Sequence, residues 1–286
     1  MKTMLKRNIL LYFRDTKNLL LSILAVFIIL TLYIVFLGSV WGNADIRALP
    51  EYTVLRHSWL TAGKLAVATI TTSLGALGVM IDDRTKKINK GFYVSPIKRW
   101  QITGGYIINA FVIGVIMTLI MFIPLAAYSV ILGGAPLSIL QYLKILGLIL
   151  LICFSNTAIT CCIVTTLKSR SAFSTVSSIV GTLIGFLLGI YLPIGQLPNG
   201  VQTVMRVFPP SHGAVLLRRV LMETPMTASF YGIPTSYVDE FRELMGVTFH
   251  FGNFEANVLF SIGMLVVSAA VFYGLALLNM RRMKAQ

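Results

Sequence analysis

Sixteen lysines and arginines lie on one side of six apolar runs, and this imbalance constrains the chain more than any other feature. The uncharged runs are Leu19–Gly38, Leu65–Ile81, Ile102–Leu132, Ile145–Leu167, Ser171–Pro193 and Ala256–Met280. A bilayer core about 30 Å thick is crossed by roughly 20 apolar residues of helix. Five runs reach that length. The second reaches it once Ser58–Lys64 is added, giving a span over Ser58–Ile81 in which Lys64 snorkels to the headgroups.

One side carries Lys2, Lys6, Arg7, Arg14 and Lys17, the cations of residues 82–101, Lys168 and Arg170, and Arg281, Arg282 and Lys284. Those sixteen cations face three acids, a net of +13; six cations on the other side face seven acids, a net of −1. The positive-inside rule then sets both termini and the 82–101 loop in the cytoplasm. With 56% hydrophobic and 12% charged residues, the composition argues against a soluble domain. Topology accounts for the basic excess, and no nucleic-acid-binding pattern accompanies it. Cys153, Cys161 and Cys162 all fall in the fourth span and read as inert thiols, neither a disulfide framework nor a metal site. Leu19–Gly38 is too long for a signal h-region and reads as a retained span.

Residues 1–18 have Leu5, Ile9, Tyr12 and Phe13 on one helical face and Lys6, Arg7, Arg14 and Lys17 on the other. This is the pattern of a helix lying in the membrane interface against anionic lipid headgroups. Trp41, Tyr52 and Trp59 suit an aromatic belt. In the 82–101 loop, Asp82 and Asp83 favour the start of a short helix, Gly91 its end, and Pro96 holds Ser95 out of helical geometry. The fifth span carries Gly181, Gly185 and Gly189 at four-residue steps, a stripe for close helix contact. Residues 194–255 form the one sizeable exterior region. Its prolines divide it into Val201–Phe208 and Ser211–Met222, too short to span and read as re-entrant or interfacial helices. A helix over Ser236–Met245 follows, started by a Ser236–Asp239 capping pair and stopped at Gly246.

Chemistry is sparse. No Asp, Glu, His, Lys or Arg falls inside an uncharged run, and there is no H-E-x-x-H, no G-x-S-x-G and no P-loop. His57, His212 and His250 are far apart and read as surface or interfacial imidazoles. Neutral polar residues remain within the spans: Thr69, Thr71, Thr72 and Ser73, then Asn109, then Ser155, Asn156, Thr157 and Thr160. Each can bond between helices or contact a substrate, which would be apolar or amphipathic.

Three stretches resemble the permease of ABC type-2 exporters, also called type V exporters. Lys6–Asp15, leading into the first span, resembles that family's connecting helix, with Arg7, Tyr12, Phe13 and Arg14 as its contact residues. Ile81–Tyr106 is similar to its coupling-helix loop at Asp82 or Asp83, Gly91, Phe92, Ser95, Pro96 and Arg99, although the family often has Glu where Asp82 and Asp83 stand. Gly189–Leu221 resembles its signature after the fifth span at Pro193, Pro198, Pro209 and Arg218 or Arg219. The resemblance implies one transmembrane domain over 1–286: an all-α polytopic membrane protein with six transmembrane helices, an N-terminal interfacial helix and exterior re-entrant helices. It also implies a second permease copy, identical or related, and separate ABC ATPase subunits carrying ATP and Mg, so that this chain needs no cofactor of its own. Residues of the second and fifth spans, Thr69, Thr72, Ser73, Phe186 and Tyr191, would line the path of a drug, antibiotic or lipid-like toxin leaving a bacterial cell. Alternatives are a polysaccharide or teichoic-acid exporter, a lipid-modifying membrane enzyme, and a sensor scaffold.

Overall fold

A computed structural model describes residues 2–14, 49–88, 91, 99–252 and 254–282. The expected first span, Leu19–Gly38, and the loop residues Phe92, Ser95 and Pro96 lie outside the described residues, as does Trp41. Numbered in chain order among those described, the helices begin with α1 (Lys2–Arg14), α2 (Tyr52–Thr85), α3 (Arg99–Ile131), α4 (Ile139–Thr166) and α5 (Arg170–Leu187). Four short helices follow: α6 (Asn199–Val207), α7 (Pro209–Leu221), α8 (Glu223–Ser229) and α9 (Thr235–Leu244). The last, α10, runs over Val258–Arg282. A two-residue antiparallel ladder pairing His250 with Glu255 and Phe251 with Phe254 is the one sheet among the described residues.

Among the described residues, five helices are long and apolar enough to cross a bilayer: α2, α3, α4, α5 and α10. The protein is therefore an all-α, multi-pass membrane protein. Their bounds follow the apolar runs, with three departures. At 34 residues, α2 is about 51 Å long and begins at Tyr52, carrying His57 and Lys64 within it. The N-terminus of α4 is extended to Ile139 by a capping box in which the Ser138 hydroxyl accepts from the Gln141 amide and Gln141 Oε1 accepts from the Ser138 amide. And α5 stops at Leu187, six residues short of Pro193.

The end of α5 is a Schellman turn. Gly189 adopts φ 63°, its N–H donates to Phe186 O, and the Ile190 N–H reaches Gly185 O at 2.9 Å. The glycine stripe is thereby divided among three roles. Gly181 meets nothing, Gly185 lies under the Tyr191 ring, and Gly189 is the turn itself.

Helix α2 is the hub, packed against α1, α3, α4, α5, α7 and α8, while α10 packs on α4 and α7. Two apolar cores stack along it. One surrounds Leu55, Trp59, Leu65, Ile149, Ile152 and Leu216; the other surrounds Leu77, Ile81, Ile113, Val164 and Phe173. A polar layer lies between them, where Asn156 Nδ2 donates to Thr69 Oγ1 at 2.7 Å and Thr157 Oγ1 to Ser73 Oγ at 3.2 Å. In an apolar bundle such bonds fix the register of α4 on α2. The capped end of the bundle holds α6 to α9; the opposite, basic end holds α1, the end of α2 and the start of α3. The expected Ser236–Asp239 cap does not form, because Pro234 takes the N-cap position of α9 and Asp239 pairs with Arg242.

Candidate functional site

At the basic end, Asp82 and Asp83 start no new helix; they belong to the last turn of α2. Carboxylates at a helix C-terminus oppose its dipole, so each needs a cation. Asp83, with its side chain 3% exposed, receives both Arg7 guanidinium nitrogens at 2.6 Å and the Tyr106 hydroxyl at 2.6 Å. These bonds hold the Arg7 proton more tightly than usual. Asp82, more exposed, accepts from Arg170 at 2.7 Å, and Arg84 donates to Leu167 O at 2.9 Å. Helices α1 to α5 are thus tied at one place, beside the expected coupling loop.

Arg7 therefore points into the protein rather than toward headgroups. The packed side of α1 carries Met4 and Asn8, both buried, while Leu10 and Leu11 are exposed. Tyr12 and Phe13 meet edge to face at 5.5 Å against the second core, and Arg14 is exposed. Gly91 is exposed with open space at its Cβ position, and Arg99 opens α3. Asp83 is enclosed by its own chain, which leaves Asp82 as the more accessible carboxylate of the pair.

The polar residues of α2 divide between two faces. Thr69 and Ser73 are buried in the layer against α4, taking the interhelical role. Thr71 and Thr72 bond to carbonyls of their own helix and, with exposed Gly75, lie on its open side. Away from its buried Phe173 and Ile184, α5 exposes Ser171, Ser174, Thr175, Ser178 and Thr182 on one face. Phe186, 50% exposed, stacks at 4.8 Å on Tyr191 at the capped end of the same helix.

At the capped end, Pro193 precedes a 3-10 turn over Ile194–Gln196, Pro198 precedes α6, and Pro209 is the first residue of α7. Proline needs no N–H donor at these places, so each break becomes a helix start. The central group is Arg218, fully buried on α7. Its guanidinium donates to Leu188 O at 2.8 Å, Gly189 O at 2.9 Å and Gly246 O at 3.3 Å, and lies 5.0 Å over the Trp59 ring. It caps the C-terminus of α5, where orphan carbonyls and the negative end of the dipole favour a cation. Arg219 binds Val247 O and Ala256 O, both at 2.9 Å, joining α7 to the small hairpin and the start of α10.

Several sequence expectations are corrected here. Trp59 is no belt residue: it is fully buried, and its indole N–H donates to Met245 O at 2.7 Å. Neither His57 nor His212 is a surface imidazole. His57 bonds Leu125 O at 2.9 Å, and His212 lies between Ser261 Oγ and Arg206 O. Since a carbonyl only accepts, His212 carries a proton on Nε2, and burial lowers its affinity for a second. Lys64 does not stand near a helix end: it is 7% exposed, twelve residues inside α2. The apolar runs hid these groups because hydropathy averages along the chain and registers no contact across it. The one local signal passed over was the Ser138-x-x-Gln141 box. A pocket of about 30 Å³ near His57, Thr61 and Phe122 holds no more than a water. Among the described residues, no three His, Cys, Asp or Glu side chains are grouped to hold a metal.

In comparisons with known proteins, a family model described as ABC-2 family transporter protein matches residues 58–278. That range takes in all but the first six residues of α2, the whole of α3 to α9, and nearly all of α10. No curated protein matches the chain.

Proposed function

The chain belongs to the ABC-2 family of transporter proteins, as a membrane-embedded exporter permease and not an enzyme, and we propose that two copies, identical or related, pair with two separate ATP-binding subunits. In this reading Leu19–Gly38 supplies a sixth span, α1 lies in the interface, and α6 and α7 re-enter the bilayer from outside. Both termini and the 82–101 segment face the cytoplasm of a bacterial cell, as the charge distribution favours. The segment containing Gly91, Phe92, Ser95, Pro96 and Arg99 docks on the ATPase. The tie of Arg7, Asp82, Asp83, Tyr106 and Arg170 conveys its movement into α1, α2, α3 and α5. ATP and Mg on the partner bias the bundle between two states by binding one of them more tightly.

The observation that carries the reading is the hydroxyl face of α5. Five exposed serines and threonines on a spanning helix are poorly suited to lipid and well suited to a second helix or a wetted path. Thr72 on the open side of α2, and Phe186 and Tyr191 at the outer end of α5, add further residues to the proposed path. A path between two copies suits a hydrophobic or amphipathic substrate, since no carboxylate lines either face beyond Asp82 at its basic end.

Reconstitution with the partner ATPase tests the scheme. Substrate should stimulate ATP hydrolysis in the wild-type complex, and deletion of 82–101 should abolish the stimulation. Stimulation that survives the deletion would overturn it. In the same vesicles Ser178→Cys should cross-link between copies or react with a water-soluble maleimide, whereas Val266→Cys on α10 should do neither.

A further inference from the structure

A slot of about 260 Å³ between α3 and α4 has no part in the site described above. Phe122, Ile123, Ala126, Ala127 and Val130 of α3 line it together with Tyr142 of α4. The Phe122 and Tyr142 rings meet edge to face at 6.0 Å and bridge the two helices. Ala126 and Ala127 give the α3 wall little volume between Ile123 and Val130, both exposed. Five of the six lining side chains are apolar and the sixth is a phenol. Water needs two to four polar partners and finds few here. An empty slot would leave the wall atoms without dispersion contacts. Something apolar fills it.

Dimensions and surroundings narrow the occupant. Phe122 to Val130 covers about 12 Å of helix, ending one residue before the end of α3 at the capped end of the bundle. That is most of one leaflet of a hydrocarbon core about 30 Å thick. Spread over this length, 260 Å³ leaves a cross-section on the order of 20 Å², room for one extended hydrocarbon chain and too narrow for a helix about 10 Å across. Both walls belong to helices long and apolar enough to cross the bilayer. Exposed Ile120 and Ile131 on α3, and Ile139, Leu143 and Leu146 on α4, continue the apolar surface beyond the slot. We propose that the slot seats one acyl chain of a membrane phospholipid, with the headgroup at the capped end. Among the described residues no charged side chain lines it, so the lipid is held by its tail and not by its headgroup charge. The seat needs only α3 and α4 in the bilayer and is independent of the permease reading.

Lipid counting on the full chain provides the test. Protein in mild detergent is mixed with phosphatidylcholine or phosphatidylglycerol of matched acyl chains and measured by native mass spectrometry, and thermal unfolding is recorded without lipid. Wild type should retain one phospholipid per chain more than Ala127→Trp, whose indole takes up the slot. Val267→Trp, at an exposed position of α10, should retain as many as wild type. Both phospholipids should give the same difference. In lipid-free detergent Ala127→Trp should unfold within about 2 °C of wild type, because the slot opens to the bilayer and no packed side chain is displaced. Ala127→Leu, a smaller filling, should lose at least half of the extra lipid, and it decides the matter if the tryptophan variant does not fold. Equal counts in wild type and the filled variants overturn the seat. A difference with phosphatidylglycerol alone overturns retention by the tail. A marked drop in the unfolding midpoint with the lipid count unchanged overturns the lipid, and shows that Leu19–Gly38 or a second copy covers the slot instead.

Discussion

The two ends of the bundle hold buried arginines by opposite means. At the basic end Arg7 meets a carboxylate that also accepts from a phenol, in a pair whose cationic side chain is still 30% exposed. At the capped end Arg218 is fully enclosed, with no carboxylate paired to it among the described residues, and its charge is met by helix-end carbonyls and an indole face. An ion pair at the edge of the protein can open and exchange partners at modest cost, because water takes over as it separates. A guanidinium seated in carbonyls cannot, since moving it strands both the charge and the acceptors. The comparison assigns motion to the basic end and rigidity to the capped end. That division suits the proposed drive by an ATPase at the basic end.

The largest effect should come from breaking the rigid end. Arg218→Met leaves the Leu188, Gly189 and Gly246 carbonyls without their donor, a loss on the order of 3 kcal/mol or more. Thermal unfolding in detergent should fall sharply. Arg218→Lys should recover only part of it, because one ammonium cannot reproduce the planar fork. A midpoint unchanged by either variant would remove the distinction between the ends.

Asp83→Asn should cost less, about 2 kcal/mol, since Arg7 is partly hydrated and regains water when its partner is lost. Tyr106→Phe, which removes one hydrogen bond to the same carboxylate, should cost about 1 kcal/mol. A double-mutant cycle on Arg7 and Asp83 should show clear coupling. Additive effects would mean that the pair does not join α1 to α2. The smallest change should follow Arg170→Ala, whose pair with Asp82 is 53% and 36% exposed. Stability should shift by no more than about 0.5 kcal/mol and the pair should weaken in high salt, whereas the Arg218 contacts should not.

Legibility from sequence differed between these regions for a physical reason. The apolar runs Ile102–Leu132 and Ala256–Met280 coincide with α3 and α10 to within a few residues, because a helix in lipid must satisfy its backbone internally and so follows the length of the apolar run. Pro209 and Pro198 marked the breaks in the cap for an equally local reason, the missing N–H. The end of α5 was misplaced because apolar residues continue through Leu188–Pro193, while Gly189 turns the backbone before they do. In α2 the opposite error occurred: Arg56, His57 and Lys64 looked like a boundary, yet the helix runs through them because other helices cover that stretch.

The sequence alone determined the apolar runs, the charged side, the absence of a P-loop and the likeness in the 82–101 and 189–221 stretches. Each depends on neighbours along the chain, so a one-dimensional reading suffices. The tertiary structure alone decided that Arg7 turns inward to Asp83, that Arg218 closes α5 over Trp59, that Thr69 accepts from Asn156, and that Lys64 is buried within α2. Those outcomes depend on which groups meet across tens to more than a hundred residues of chain. Desolvation and hydrogen-bond geometry, which hydropathy does not encode, set their energies.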